Sequence, residues 1–153
     1  MKAANEQPSL VKEETFRYDL VDLVRQVLAD AAFYQLQRVR AAFDARDVSG
    51  YKKQVQVFLS LITDMDAVLA TDRQFLLGTW QEKALNLGET RQEKALMDRS
   101  AKMLLTTWID QAPRALNDYS NRQWAGLVVD FYLPRWKNFF ESQFCLLYTS
   151  DAA

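Results

Sequence analysis

Between Tyr18 and Phe43 apolar side chains return every third or fourth position, at Leu20, Leu23, Val24, Val27, Leu28 and Ala31 and again at Leu36, Val39 and Phe43. That spacing lays a stripe along one side of an α-helix, so a long first helix is predicted. Asp19 and Asp22 fall in its first turns, where the helix dipole favours negative charge. Asp22 is also placed to meet Arg25, a contact usually worth about 0.2 to 0.5 kcal/mol. The stretch Asp44 to Tyr51, DARDVSGY, supplies Asp, Ser and Gly and breaks the pattern. Tyr51, Val55, Phe58, Leu59, Ile62, Met65 and Leu69 then define a second helix, and so short a connection makes the two antiparallel neighbours.

Thr71 and Asp72 can cap a third helix carrying Phe75, Leu76, Trp80, Ala84 and Leu87, with Gly88 as its stop. Thr90 and Glu93 have the spacing of a capping box. They predict a fourth helix carrying Leu96, Met103 and Leu104 and reaching about Trp108. Ile109 to Asn117 has no repeat and is expected to be a loop. The strongest local pattern lies in Leu116 to Trp136, LNDYSNRQWAGLVVDFYLPRW. Asn117, Asp118 or Ser120 can cap it, and Trp124, Leu127, Val128 and Phe131 repeat at helical spacing. Pro134 is expected to end this helix at Leu133 and to open a last one through Trp136, Phe139 and Phe140. Gly126 falls inside the predicted helix, where it costs roughly 1 kcal/mol relative to Ala. A close approach by a neighbouring element is the expected reason for it.

Met1 to Thr15 is polar and has no stripe, so it reads as a tail or the remnant of a connection. It lacks the apolar core of a signal peptide. The final Cys145 to Ala153, CLLYTSDAA, changes character abruptly and is expected to be a non-native tail outside the fold. The fold class that follows is all-α, a bundle of about five to six amphipathic helices, mostly antiparallel neighbours.

Composition agrees with that picture. The 153 residues suit one domain, 49% are hydrophobic, and only 4 Gly and 3 Pro interrupt them. Charge excludes more than it suggests: 19 basic and 20 acidic residues are interspersed, leaving a net charge of −1 and no footprint for nucleic acid or an anionic membrane. With 0 His and 1 Cys, His-based triads, His-ligated metals, an internal disulfide and a Cys cluster are all excluded within this chain. No apolar run reaches the roughly 18 residues of a membrane span. No cofactor or metal is expected, and no pair of carboxylates stands out as catalytic.

Three stretches in order, FRYDLVDLVRQVLAD (Phe16 to Asp30), FLLGTW (Phe75 to Trp80) and DYSNRQWAGLVVDFYLPRW, resemble the C-terminal helical domain of the alpha-N-acetylglucosaminidases, glycoside hydrolase family 89. The resemblance runs from about Phe16 to about Phe140. It implies that 16–144 is an incomplete copy of that domain. Met1 to Thr15 would then be what is left of the connection to an N-terminal barrel domain.

The resemblance also implies where chemistry resides. Retaining glycosidases use two carboxylates about 5 to 5.5 Å apart, and in this family both are glutamates of the barrel. The helical domain would wall one side of the sugar-binding cleft. The substrate-binding residues it would contribute are Trp108, Leu116 and Tyr119. A flat aromatic can cover the apolar face of a pyranose or an N-acetyl methyl, and a phenol can orient it through a hydrogen bond. The competing reading places such helix-end aromatics in the core. Asp118, Arg135 and Trp136 are expected as structural support. Arg135 either fixes the domain against the barrel and supports the pocket, or pairs with a carboxylate such as Asp118 or Asp130. Trp80, Trp124 and Trp136 are expected in the core, where truncation to Ala costs about 3 to 5 kcal/mol. The family usually has glycine directly after the tryptophan, whereas Ile109 follows Trp108 here.

Taken together these features describe a fragment of a bacterial exo-acting alpha-N-acetylglucosaminidase. Its partners would be the missing barrel and a glycan ending in alpha-linked N-acetylglucosamine. The fragment alone is expected to be inactive, and the intact protein to be periplasmic or extracellular. A self-contained helical interaction module is the alternative. It predicts a polar outer surface, whereas the first reading predicts an exposed apolar patch. A nucleic-acid-binding bundle is opposed by the balanced charge.

Overall fold

The computed structural model describes residues 9–108 and 118–149. Helix α1 (Glu14–Asp44) turns through 45–47 into α2 (Val48–Leu69). The Asp47 carboxylate accepts from the Gly50 amide at 2.8 Å and starts the second helix. Tyr51, Phe58, Ile62, Met65 and Leu69 are buried as the periodicity of α2 requires. Against them α1 buries Val21, Ala32, Val39 and one polar residue, Gln35. The Gln35 amide donates to the Gln54 carbonyl at 2.9 Å and to the Gln54 side chain at 2.8 Å, so its burial leaves no donor unmatched.

The predicted stripe of α1 needs correction. Leu23 and Val27 lie on the outer face, not in the core. A helix apolar on both sides cannot be oriented by periodicity alone.

Asp72 caps a short 3-10 turn (Arg73–Phe75) by accepting from the Gln74 amide, and α3 (Leu77–Leu85) follows. The capping box forms as expected at the start of α4 (Arg91–Leu105): the Thr90 side chain accepts from the Glu93 amide and the Glu93 carboxylate from the Thr90 amide. Ala101 and Leu105 are the residues α4 buries, whereas Leu96 and Leu104 are exposed.

The largest correction concerns the strongest sequence pattern. Among the described residues of Leu116 to Trp136 the expected helix is absent before Gly126: 118–120 is a turn and 121–124 is irregular. Ala125 lies in extended backbone beside Leu76, donating to the Phe75 carbonyl at 2.8 Å and accepting from the Leu77 amide at 3.1 Å. Those bonds satisfy backbone groups that a helix would otherwise use. Gly126 then takes φ +90°, a conformation that side chains rarely adopt. Its role is the turn into the last helix, and a Cβ there would meet Leu77 only at ordinary contact distance, 3.7 Å.

From Leu127 the chain winds through a π-helical turn (Val128–Tyr132) directly into α5 (Leu133–Thr149). Pro134 therefore neither ends nor starts a helix, and Leu133 keeps helical angles of −60° and −45°. A proline inside an α-helix collides with the carbonyl four residues back. The wider turn just before it, closed by the Leu133 amide on the Val128 carbonyl, gives the ring room.

α5 closes the core on α2. Trp136 and Phe140 pack edge-on against Phe58, with ring centroids 4.8 and 5.3 Å away, and the buried Tyr51 hydroxyl donates to the Phe140 carbonyl at 2.9 Å. The helix does not stop before Cys145 as expected. It continues through Thr149, and Leu147 is buried at 3% exposure. Trp80, Trp124 and Trp136 are half-buried. Trp124 and Trp136 pack onto the core cluster, and Trp80 lies against Trp124 with ring centroids 6.0 Å apart. Among the described residues no helix is long and apolar enough to cross a membrane.

Candidate functional site

The end of α4 meets the turn that precedes α5. At the end of α4 the Met103 carbonyl accepts from both the Thr106 amide, at 3.2 Å, and the Trp108 amide, at 2.7 Å. This closure holds Trp108 at φ +67°, a left-handed conformation that is rare for a bulky residue and costs of order 1 to 3 kcal/mol. Asp118 is also left-handed, at φ +62°, and its amide donates to the Thr106 carbonyl at 3.0 Å. Asn121 donates back to the Asp118 carbonyl at 3.0 Å and tightens the turn. The result presents Tyr119 outward, 68% exposed, with its ring 4.9 Å from that of the half-buried Trp108.

The structure thus brings Trp108 and Tyr119 together and seals neither inside the bundle. Leu116, Ile109 and Asp110 lie outside the described residues.

Arg135 reaches this turn from α5. Its guanidinium donates to the Asp118 carboxylate at 2.7 Å and lies over the Phe131 ring, 5.1 Å from the centroid. Of the two carboxylates considered for Arg135, the partner is Asp118. It sits on a turn, so the pair joins a turn to a helix. The hydrogen bond to Asp118 raises the Arg135 pKa, and burial opposes it. Burial pushes the neighbouring Tyr132 phenol up, and the Asp118 charge pushes it the same way. Trp136 sits behind, stacked on Phe140 at 5.5 Å in the aromatic cluster of the core.

An open groove of about 670 Å³ begins at this corner. Asp118, Arg122 and Arg135 line its polar end, and Phe33, Trp136 and Phe139 its apolar side. Beyond it Leu23, Val27 and Tyr34 run along the outside of α1 at 60, 58 and 62% exposure. They are spaced four and seven residues apart, on the side of α1 turned away from the core. Among the described residues nothing covers this apolar face.

Sequence reasoning missed Asp66 and Gln123. The Asp66 carboxylate on α2 accepts from the Gly126 and Val129 amides at 2.8 and 3.3 Å, capping the final helix from across the bundle. Gln123 accepts from Arg25 on α1 and ties the irregular stretch down. No local motif could have signalled either, because the partners are 60 and 98 positions apart.

Among the described residues no cluster of His, Cys, Asp or Glu has the makings of a metal site. What the corner can offer is a flat aromatic surface, a phenol and a fixed ion pair. Those groups bind and orient; they do not supply a glycosidic acid and nucleophile.

The family model described as Alpha-N-acetylglucosaminidase (NAGLU) C-terminal domain matches residues 1–150. The human alpha-N-acetylglucosaminidase is 34% identical over 136 residues, covering 88% of this chain and 18% of the human one. A family 89 glycoside hydrolase from Clostridium perfringens, solved in complex with 2-acetamido-1,2-dideoxynojirmycin, superposes with a TM-score of 0.84 at 32% identity, over 89% of this chain and 16% of that one. A doubly Glu-to-Gln form of the Clostridium perfringens protein, in complex with its substrate GlcNAc-alpha-1,4-galactose, gives 0.88 at 31% identity, over 94% and 17%. The chain spans less than a fifth of the length of these relatives. With the whole helical fold and nearly its whole length matched, this chain belongs to the alpha-N-acetylglucosaminidase C-terminal domain family, the helical domain of family 89 glycoside hydrolases.

Proposed function

We propose that this chain is the C-terminal domain of an exo-acting alpha-N-acetylglucosaminidase and forms one wall of the cleft that holds a terminal alpha-linked N-acetylglucosamine. The catalytic carboxylates belong to the larger remainder of the enzyme, the N-terminal barrel. The observation that carries this reading is the outward Trp108–Tyr119 pair, held at 4.9 Å on a tightly bonded corner. An apolar sugar face or an N-acetyl methyl would lie against the rings, and the Tyr119 hydroxyl would hydrogen-bond a sugar oxygen. The bare apolar face of α1 supports the same reading, since an exposed apolar patch on a folded domain marks a surface that meets a partner. It argues against a free-standing interaction module with a polar exterior.

Kinetics of the intact enzyme test the proposal. Trp108→Ala and Tyr119→Ala are each expected to raise KM about tenfold for a terminal alpha-N-acetylglucosaminide, equivalent to about 1.4 kcal/mol of lost binding. The isolated chain is expected to release no aryl group from an aryl alpha-N-acetylglucosaminide. Unchanged KM in both variants, or hydrolysis by a carboxylate mapped within this chain, overturns the proposal.

A further inference from the structure

The turn that presents Tyr119 is bonded to the end of α4 by the Asp118 amide on the Thr106 carbonyl. Among the described residues, the ion pair that joins it to α5 is Arg135 with Asp118. Backbone bonds close the turn but do not fix its angle to the rest of the domain. The 2.7 Å ion pair does, because the Arg135 guanidinium itself lies over the ring of Phe131, 5.1 Å from its centroid, in the π-helical turn that leads into α5.

The location of the pair indicates what it is for. The Arg135 side chain is 50% exposed and the Asp118 side chain 27%, and an ion pair so open to water contributes little to stability. Its effect is therefore geometric. Asp118 immediately precedes Tyr119, so any drift of its carboxylate swings the Tyr119 ring relative to Trp108. Arg122, whose guanidinium donates to the Asn121 carbonyl at 2.8 Å, stays within the turn and cannot supply this anchor.

We infer that Arg135 is a positioning residue: by gripping Asp118 from the Phe131 platform it aims Tyr119 against Trp108, and so sets how tightly the wall holds its sugar. This rests on the cleft-wall reading and adds the residue that controls it. Lysine would keep the charge but not the guanidinium's fixed fork of donors, so it can substitute only in part.

The test uses the full-length enzyme carrying this domain, with Arg135→Gln, Arg135→Lys, Tyr119→Ala and the double variant Arg135→Gln/Tyr119→Ala. Arg135→Gln is expected to raise KM about tenfold with kcat within about twofold, and Arg135→Lys to recover part of the loss. The double variant is expected to match Tyr119→Ala alone, because the arginine acts through the tyrosine. Additive losses, or a lowered kcat with unchanged KM, would show that Arg135 acts elsewhere and overturn the inference while leaving the wall reading intact. A silent Tyr119→Ala overturns the inference, and the wall reading falls with it when Trp108→Ala is silent as well. Should Arg135→Gln fail to fold, Asp118→Asn replaces it, keeping the turn's size while removing the charge. It carries the same expectation, and an unchanged KM there overturns the inference.

Discussion

The carboxylate of Asp66, in the last turn of α2, accepts the amide of Gly126 at 2.8 Å, 60 residues further along the chain. A second bond to the Val129 amide, at 3.3 Å, makes it the cap of a helix it does not belong to. Two requirements meet here: a glycine able to sit at φ +90°, and an acceptor for the first free amides of the final helix. Asp66→Ala is expected to destabilise the chain by about 1 to 2 kcal/mol, and Asp66→Asn by less, since an amide oxygen can still accept. Gly126→Ala should cost about 1 to 3 kcal/mol through backbone strain rather than a clash. Denaturant midpoints at constant m measure all three, and a wild-type midpoint for Asp66→Ala refutes the cap.

The C-terminal residues are the second place to look. Leu147 is buried in the last turns of α5 and belongs to the same core cluster as Phe58 and Phe140. Leu147→Ala should cost about 2 to 5 kcal/mol, as for other buried leucines. If thermal unfolding is unaltered, the segment after 144 is an appendage after all.

The capping box at Thr90 makes α4 sensitive to acid. The amides of Thr90 and Glu89 hold the Glu93 carboxyl below its ordinary range. A group with a lowered folded-state pKa contributes stability above its unfolded value and loses it as pH falls through the folded value. Helicity of α4 should therefore decline below about pH 4. Glu93→Ala should remove that acid dependence, as followed by amide exchange across Arg91–Leu105.

A last prediction concerns the outer face of α1. Leu23→Gln and Val27→Gln remove apolar groups that touch no core, so each should change the stability of the isolated chain by less than about 0.5 kcal/mol. Binding of a hydrophobic dye to the chain should fall. On the cleft-wall reading the same substitutions should lower the melting temperature of the full-length enzyme, where the face would be covered. Equal effects in both contexts would mean that nothing docks on it.

These residues also divide what was legible in the sequence from what was not. Helix α2, a chain break within Asp44 to Tyr51, the capping box at Thr90 and Glu93 and the all-α class could be read directly, although the break itself is only the turn 45–47. In each case the deciding interactions lie within a few positions, where periodicity and side-chain chemistry act. The resemblance in FRYDLVDLVRQVLAD, FLLGTW and the DYSN stretch identified the family for the same reason: it is carried by contiguous residues.

Three features could not be read this way. Leu116 to Trp136 reads as one helix, yet the backbone at Ala125 pairs with Phe75 and Leu77 and the helix starts where Asp66 allows. Pro134 should stop a helix, but a π-turn set by packing carries the chain through it. Leu23 and Val27 repeat like core residues and face outward. In each case the local preference amounts to about 1 to 3 kcal/mol, and partners tens of residues away outweighed it. The sequence alone determined which residues were able to form helices and which family they came from. The tertiary structure decided where the final helix begins, which side of α1 is left bare, and that Trp108 and Tyr119 meet at an open corner, because those outcomes depend on contacts that exist only once the chain has closed on itself.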